Sequence, residues 1–410
     1  METNDSIYDT SKLSFKGDFD QQVQEIMQYV RLTKQEVEKL QILLDDLHTA
    51  FNKVWRGCTV NGFGSIVSGL GIKTSDIDCY VQLPGWLSPP NASFVMKAKN
   101  ILRRRHWIFQ NLCAITTAKV PIVKFYHVPT ARCCDLNFSS SAGVRNSQLI
   151  SYLLDLDKRI LPLSILIKYW SKIQNLTGVH LMSSYCLMLM VIFYLQQKNI
   201  LPPIINLQLS LDKYIIDNWN TAFHRINHVN NNKETLYELL GGFFEYYNTF
   251  KYANYIICPF VGKPVERDCF LKLDTVPAEF SIYKINVEKE SQCKPIRLDT
   301  PMCVQDPFEH NRNCAVAVHP KLAQKIMTQL CRGDDIYKCN DDLSFLKTLL
   351  IRTDNYPGIK NKKKPAIFNG IKKQYKINQN LRHSIKYITQ NIFGKSNNKH
   401  KGTSDVIRSE

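Results

Sequence analysis

Apolar residues recur at helical spacing over residues 18 to 55, which predicts one or two amphipathic helices, and Thr33-Lys-Gln-Glu36 matches a capping box within them. The period then shortens. Runs at 56–62, 76–82, 109–115, 120–128 and 132–138 are rich in β-branched and aromatic residues and read as strands. Pro129-Thr130-Ala131 joins the last two as a hairpin, a helix over about 92–105 lies between the second and third, and a short helix is expected at 65–70. From Asn146 onward the pattern is helical again, at 147–157, 159–174, 183–197 and 234–248. The longest apolar run, Tyr185 to Leu195, is too short to span a bilayer and reads as a buried helix. The expected class is therefore α+β. A small mixed sheet with helices occupies 50–140, a mainly helical domain 141–345, N-terminal helices at 1–49 pack on the helical domain, and a tail follows at 346–410.

Two carboxylates stand out against this pattern. In residues 62–81, GFGSIVSGLGIKTSDIDCYV, a Gly64-Ser65 turn precedes Asp76 and Asp78 in a strand-like run. Alternate strand residues share a face, so the two aspartates project together while Ile77, Cys79 and Val81 face the core. Adjacent carboxylates repel, and a divalent cation between them relieves that; hard oxygen ligands suit Mg2+ or Mn2+. The turn leaves backbone N–H groups and one hydroxyl for phosphate oxygens. Each half alone is more often a solvated strand end or an ordinary turn. A third carboxylate changes the balance: Asp135, flanked by Cys134, Leu136 and Phe138, is costly to bury unless paired or bound to metal.

Composition adds the setting. With 410 residues, 44% of them hydrophobic, the chain can bury a substantial core, and its start lacks the basic and apolar regions of a secretory signal. Its 13 cysteines are odd in number and show no C-x-x-C spacing, which argues for reduced thiols in a reducing compartment, with the cytoplasm the expected location, rather than a zinc site or disulfide framework. Of the formal net charge of +17, residues 346–410 carry +12. In this tail Lys362, Lys363, Lys364, Lys372 and Lys373 are interleaved with aromatic residues, a composition that suits RNA phosphates and unpaired bases, a solvated tail, or a nuclear localisation signal.

The motifs together resemble the DNA polymerase β-like nucleotidyltransferases, and within them the RNA terminal uridylyltransferases and cytoplasmic-type poly(A) polymerases. The resemblance runs through VPIVKF (120–125), CCDLNF (133–138), SILIKYWSK (164–172), LMSSYCLMLMVIFYLQ (181–196), LLGGFFEYYNTF (239–250) and VQDPFEHN (304–311). It covers about 50 to 330 and implies a polymerase β-like catalytic domain joined to a PAP-associated helical domain, with the site in the cleft between them. It further implies that Asp76, Asp78 and Asp135 hold two metal ions, and that Gly64, Ser65, Lys168, Lys172 and Ser184 contact the triphosphate. Asn146 would contact the ribose, Ser147 would belong to the same nucleotide site, and Tyr185 would stack on the base. Lys168 and Lys172, four apart, share one helix face. Without the resemblance these lysines read as a solvated face, Asn146, Ser147 and Ser184 as helix caps and Tyr185 as a core residue.

For base choice the resemblance points to Asp306, Glu309 and His310, although DPFEHN is two residues shorter than the usual pattern before the His-Asn pair. UTP is the expected donor. ATP, giving a poly(A) polymerase, and a catalytically inactive RNA-binding scaffold are the alternatives. The expected partners are an RNA 3′ end and a nucleoside triphosphate. An RNA-binding adaptor protein would choose the target, since no RNA-recognition fold is legible elsewhere; no membrane is involved, and the enzyme would be a monomer.

Overall fold

The structure, a computed structural model, describes residues 7–87, 92–118, 120–209, 212–226, 228–289 and 293–353. The tail lysines singled out above, Lys362 to Lys364, Lys372 and Lys373, lie outside them.

The N-terminal helical stretch divides into three: α1 (Phe19–Val30), α2 (Lys34–Glu38) and α3 (Leu40–Asn52). The capping box at Thr33 and Glu36 forms and starts α2, and Asp18 with Gln21 makes another at the start of α1. Next come β1 (Thr59–Phe63), α4 (Gly64–Val67), β2 (Ile77–Gln82), α5 (Ala92–Arg103), β3 (Phe109–Ile115), β4 (Ile122–His127) and β5 (Arg132–Asn137). These strands form one sheet in the order β1-β2-β5-β4-β3, in which only β2 and β5 run parallel. Ile77, Cys79 and Val81 are buried, as their alternation requires, against α3 and α5, together with Val123, Phe125, Cys134 and Leu136. The opposite side of β2 and β5 carries Asp78 and Asp135.

The remainder is mainly helical: α6 (Ala142–Asp155), α7 (Ile160–Ile173), α8 (Ser184–Gln197), α9 (Ile204–Leu207), α10 (Leu236–Thr249), α11 (Ser281–Lys289), α12 (Pro320–Cys339) and α13 (Asp342–Leu349), with two small antiparallel pairs, Ile215–Ile216 with Trp219–Asn220 and Tyr255–Ile256 with Val265–Glu266. Helix α8, apolar all round, is enclosed on every side, which is why its residues show no polar stripe. Helices α10 and α12 approach closely through two glycines. A Cβ on Gly241 would stand 2.2 Å from the Tyr337 ring and one on Gly333 2.4 Å from Phe244. Among the described residues no helix is long and apolar enough to cross a membrane.

Two hydrophobic cores result, and the N-terminal segment does not join the helical one as a unit. Helix α1 buries Phe19, Val23, Ile26 and Val30 in the helical core, whereas α3 buries Leu43, Leu47 and Phe51 against the sheet. The apolar faces of the two helices are separated by the exposed α2, so each follows its own core.

Candidate active site

Parallel pairing sets the carboxylates side by side. In the β2–β5 register Asp78 is the partner of Asp135, and strands so paired lie about 4.8 Å apart. Asp76 stands just before β2 and is exposed. Burial, then the neighbouring charges of Asp135 and Asp76, push the Asp78 carboxyl up to about 7. Asp135 is also raised, first by burial. A cation from the adjacent strand answers them: Lys124, opposite Asp135 in the β4–β5 register, places Nζ 2.9 and 3.0 Å from the two Asp135 oxygens and 3.6 Å from Asp76 Oδ2.

Among the described residues no three His, Cys, Asp or Glu side chains are gathered into a ready-made metal shell. The donor set nonetheless has the chemistry of a hard divalent ion, being oxygen only. Burial first, and then the charges of Asp135 and Asp76, raise the Asp78 carboxyl, and a cation at this place would relieve the repulsion between the three.

The turn entering α4 is fixed by contact as well as by backbone conformation. Gly64 has φ +79°, and a Cβ there would stand 2.0 Å from Asp78 Oδ2, so only glycine fits. Its N–H is not left for phosphate: it donates to Ser147 Oγ at 2.7 Å, and that hydroxyl donates onward to the Gly143 carbonyl at 2.7 Å. Ser147 thus braces the turn against α6. Helix α6 begins five residues before the predicted start, with Ser141 at its N-cap position, so neither Asn146 nor Ser147 is a cap. Asn146 is buried, and its Oδ1 has no hydrogen-bond partner among the described residues, which is costly unless a ligand supplies one. Ser65 follows in the first turn of α4, half-buried.

Helix α7 brings both predicted lysines to the same region. Lys168 is buried, its Nζ donating to the Leu70 carbonyl at 2.8 Å and lying 3.4 Å from Ser75 Oγ. Burial and then the charge of Lys172 bring its ammonium down to about 7, while Asp78 opposes the shift. Lys172 is lowered by burial and supported by Asp76. The two therefore face the carboxylates electrostatically.

At the start of α8 the capping residue is Ser183, which accepts from the Cys186 N–H at 3.1 Å; Ser184 is the first helical residue. Tyr185 donates its hydroxyl to Asp306 Oδ2 at 3.0 Å. Asp306 is buried, and its other oxygen accepts the N–H groups of Phe308 and Glu309, each at 3.0 Å. His310, expected over the base, is elsewhere. Its ring is buried among Phe260 (4.2 Å between centroids), Phe280 and Trp219, Nε2 lies 3.3 Å from the Pro307 carbonyl, and burial lowers it to about 4. That side chain is turned into the core, and it is Arg312 that stands beside the Tyr185 ring. The Arg312 guanidinium lies 5.8 Å from the centre of the Tyr185 ring, 3.8 Å from Asp306 and 3.6 Å from Glu309. Neither Arg312 nor Lys124 is singled out by the sequence reading, though Lys124 lies inside the VPIVKF motif and Arg312 directly follows VQDPFEHN.

Known proteins resemble this chain in sequence and in fold. A family model for the central palm domain of mitochondrial-like poly(A) RNA polymerase matches residues 19–155, and one for Cid1 family poly A polymerase matches residues 235–312. Human terminal uridylyltransferase 7 is 25% identical over 313 residues, 71% of this chain and 19% of that protein. The zebrafish (Danio rerio) speckle targeted PIP5K1A-regulated poly(A) polymerase is 24% identical over 366 residues, 77% of this chain and 45% of that protein. The chain thus spans less than half the length of these curated relatives. In fold it is similar to mtPAP in complex with UTP (TM-score 0.70, 21% identity, 86% of this chain and 76% of that one). It is likewise similar to the Cid1 poly(U) polymerase with MgGTP bound (TM-score 0.65, 20% identity, 82% of this chain and 98% of that one).

Proposed function

Because this chain belongs to the polymerase β-like nucleotidyltransferase family of terminal uridylyltransferases and poly(A) polymerases, we propose that it extends RNA 3′ ends without a template, adding uridylates from UTP. The proposal is supported by Asp78 and Asp135 being register partners on β2 and β5, with Asp76 just before β2 and two lysines of α7 that feel these carboxylates. These three aspartates would hold a pair of divalent ions, Mg2+ or Mn2+, which lower the pKa of the attacking 3′-hydroxyl and neutralise the leaving pyrophosphate. Lys168 and Lys172 orient the triphosphate, Asn146 Oδ1 accepts from the ribose, and the Tyr185 ring gives the base a stacking surface. Ser147 and Gly64 keep the turn fixed against Asp78, so positioning is built in before the nucleotide arrives.

The choice of UTP over ATP rests on one observation, the Arg312 guanidinium beside the Tyr185 ring. Guanidinium carries donors and no acceptor. Uracil presents carbonyl oxygens on its Watson–Crick edge where adenine presents an amino group, so Arg312 favours uracil and meets adenine donor to donor. Extension of one RNA by the full chain with each of the four NTPs in turn tests both levels. UTP should be used at least about tenfold more efficiently than ATP, about 1.4 kcal/mol. A preference for ATP would refute the base assignment and leave the transfer standing. Absence of extension with every NTP, in Mg2+ and in Mn2+, would refute the transfer.

A further inference from the structure

On the side of the sheet away from the carboxylates, the C-terminal ends of α3 and α5 and the start of β3 line an open cavity of about 470 Å3. Its walls combine an apolar floor, supplied by Ile101 and Ile108, with three cations, Lys53, Arg104 and Arg105. Among the described residues none of these cations has an acidic partner, and no acidic residue lines the cavity. Arg105 makes one long contact, 3.4 Å to the Thr49 carbonyl. Trp107, also in the lining, is 61% exposed, with His106 edge-on to it at 5.2 Å. A tryptophan so placed loses apolar burial and gains no tertiary partner in return, so the sequence Leu102-Arg-Arg-Arg-His-Trp107 is not explained by the needs of the core.

We propose that this cavity binds a nucleotide of single-stranded RNA upstream of the reacting 3′ end. Each part of it answers one part of that ligand. The exposed indole offers a face on which a base stacks, the isoleucines shield the base's other atoms from water, and the three unpaired cations meet the flanking phosphates. The volume falls within the range of sites that enclose a small organic group. No lining group reads a base edge with paired donors and acceptors, so the binding is tolerant of sequence. The cavity lies next to the edge strand β3 on the helix-covered side of the sheet, whereas Asp78 and Asp135 are on its other side, so one RNA would reach both by passing round the sheet. The site therefore discriminates by length: an RNA long enough to round the edge is held at two places, and a short primer at one.

The proposal rests on RNA being the acceptor, and its test is read by binding as well as by extension. Binding of the full chain to an oligouridylate of about 5 nucleotides and one of about 20, lengths chosen to straddle the site sizes of such grooves, is measured by fluorescence anisotropy at several salt concentrations. Extension kinetics are run on the same pair. For Arg104→Glu combined with Arg105→Glu, the Kd and KM for the long RNA should rise about tenfold or more, and the salt slope should fall by about 1.4 for two lost phosphate contacts on a single strand. Trp107→Ala, which removes no charge, should weaken the long RNA about tenfold with an unchanged salt slope. For both variants the KM for UTP and the turnover of the short primer should stay as in the wild type. Unchanged long-RNA binding in both, or equal losses for long and short RNA, would overturn the proposal. An inert wild type that still binds long RNA through these residues would refute the transfer reading and leave this one standing.

Discussion

At the strand end of the nucleotide site Lys124 touches both oxygens of Asp135, at 2.9 and 3.0 Å. At the base end Arg312 stands back from its carboxylates, 3.8 Å from Asp306 and 3.6 Å from Glu309, and leans over the Tyr185 ring. The first pair is in direct contact on adjacent strands whose register fixes it. The second is held by a loop in which Asp306 has already accepted two backbone N–H groups and the tyrosine hydroxyl. Guanidinium has five donors, and at these distances it keeps some of them for a ligand. The contrast separates two tasks: the strand end concentrates charge for any nucleotide, and the base end is the part that chooses one.

Four substitutions break or sharpen that contrast. Gly64→Ala should be the most damaging, because the new Cβ would meet the Asp78 carboxylate at a position whose φ already disfavours a side chain. Extension should fall about a hundredfold or more with every NTP alike, with a loss of about 1–3 kcal/mol in urea unfolding. Arg312→Gln should act only on choice, bringing the UTP-to-ATP ratio of kcat/KM down about tenfold while the summed activity changes less. Ser147→Ala removes the acceptor of the Gly64 N–H and should cost about 1 kcal/mol of stability, with kcat reduced more than KM.

His310→Leu should leave nucleotide choice untouched and alter only acid stability. Burial holds the imidazole near 4, below its ordinary value of 6.5, so the unfolded chain binds the proton more readily than the folded one. The wild type therefore loses stability as pH falls from about 6.5 towards about 4, and the variant should lose less over that window. A changed UTP-to-ATP ratio in this variant would return His310 to the base pocket.

The two ends also differed in how far the sequence disclosed them. Strand alternation alone placed Ile77, Cys79 and Val81 inward and Asp78 outward, because a period of two leaves no other choice once one face is buried. The capping box at Thr33 and the hairpin around Pro129 are local signals, and both were legible. Helix α6 was placed late because its first turn contains Gly143 and Val144, whose weak helix preference tertiary packing overrides: Gly143 receives the Phe63 ring so closely that a Cβ would stand 2.7 Å from it. Helices α11, α12 and α13 were not anticipated. The placement of His310 and Arg312 was not legible for a different reason. Which of His310 and Arg312 turns inward depends on how a loop meets Phe260, Phe280 and Trp219, residues remote in the chain, and no local pattern encodes it.

Primer extension by Asp135→Asn tests the central claim most directly, since this change removes one charge from the paired strands and keeps the side chain's volume. The account predicts that the variant unfolds at a temperature close to the wild type yet adds no nucleotide to an RNA 3′ end from UTP, in Mg2+ or in Mn2+. Extension at near wild-type rate by that folded variant would contradict it.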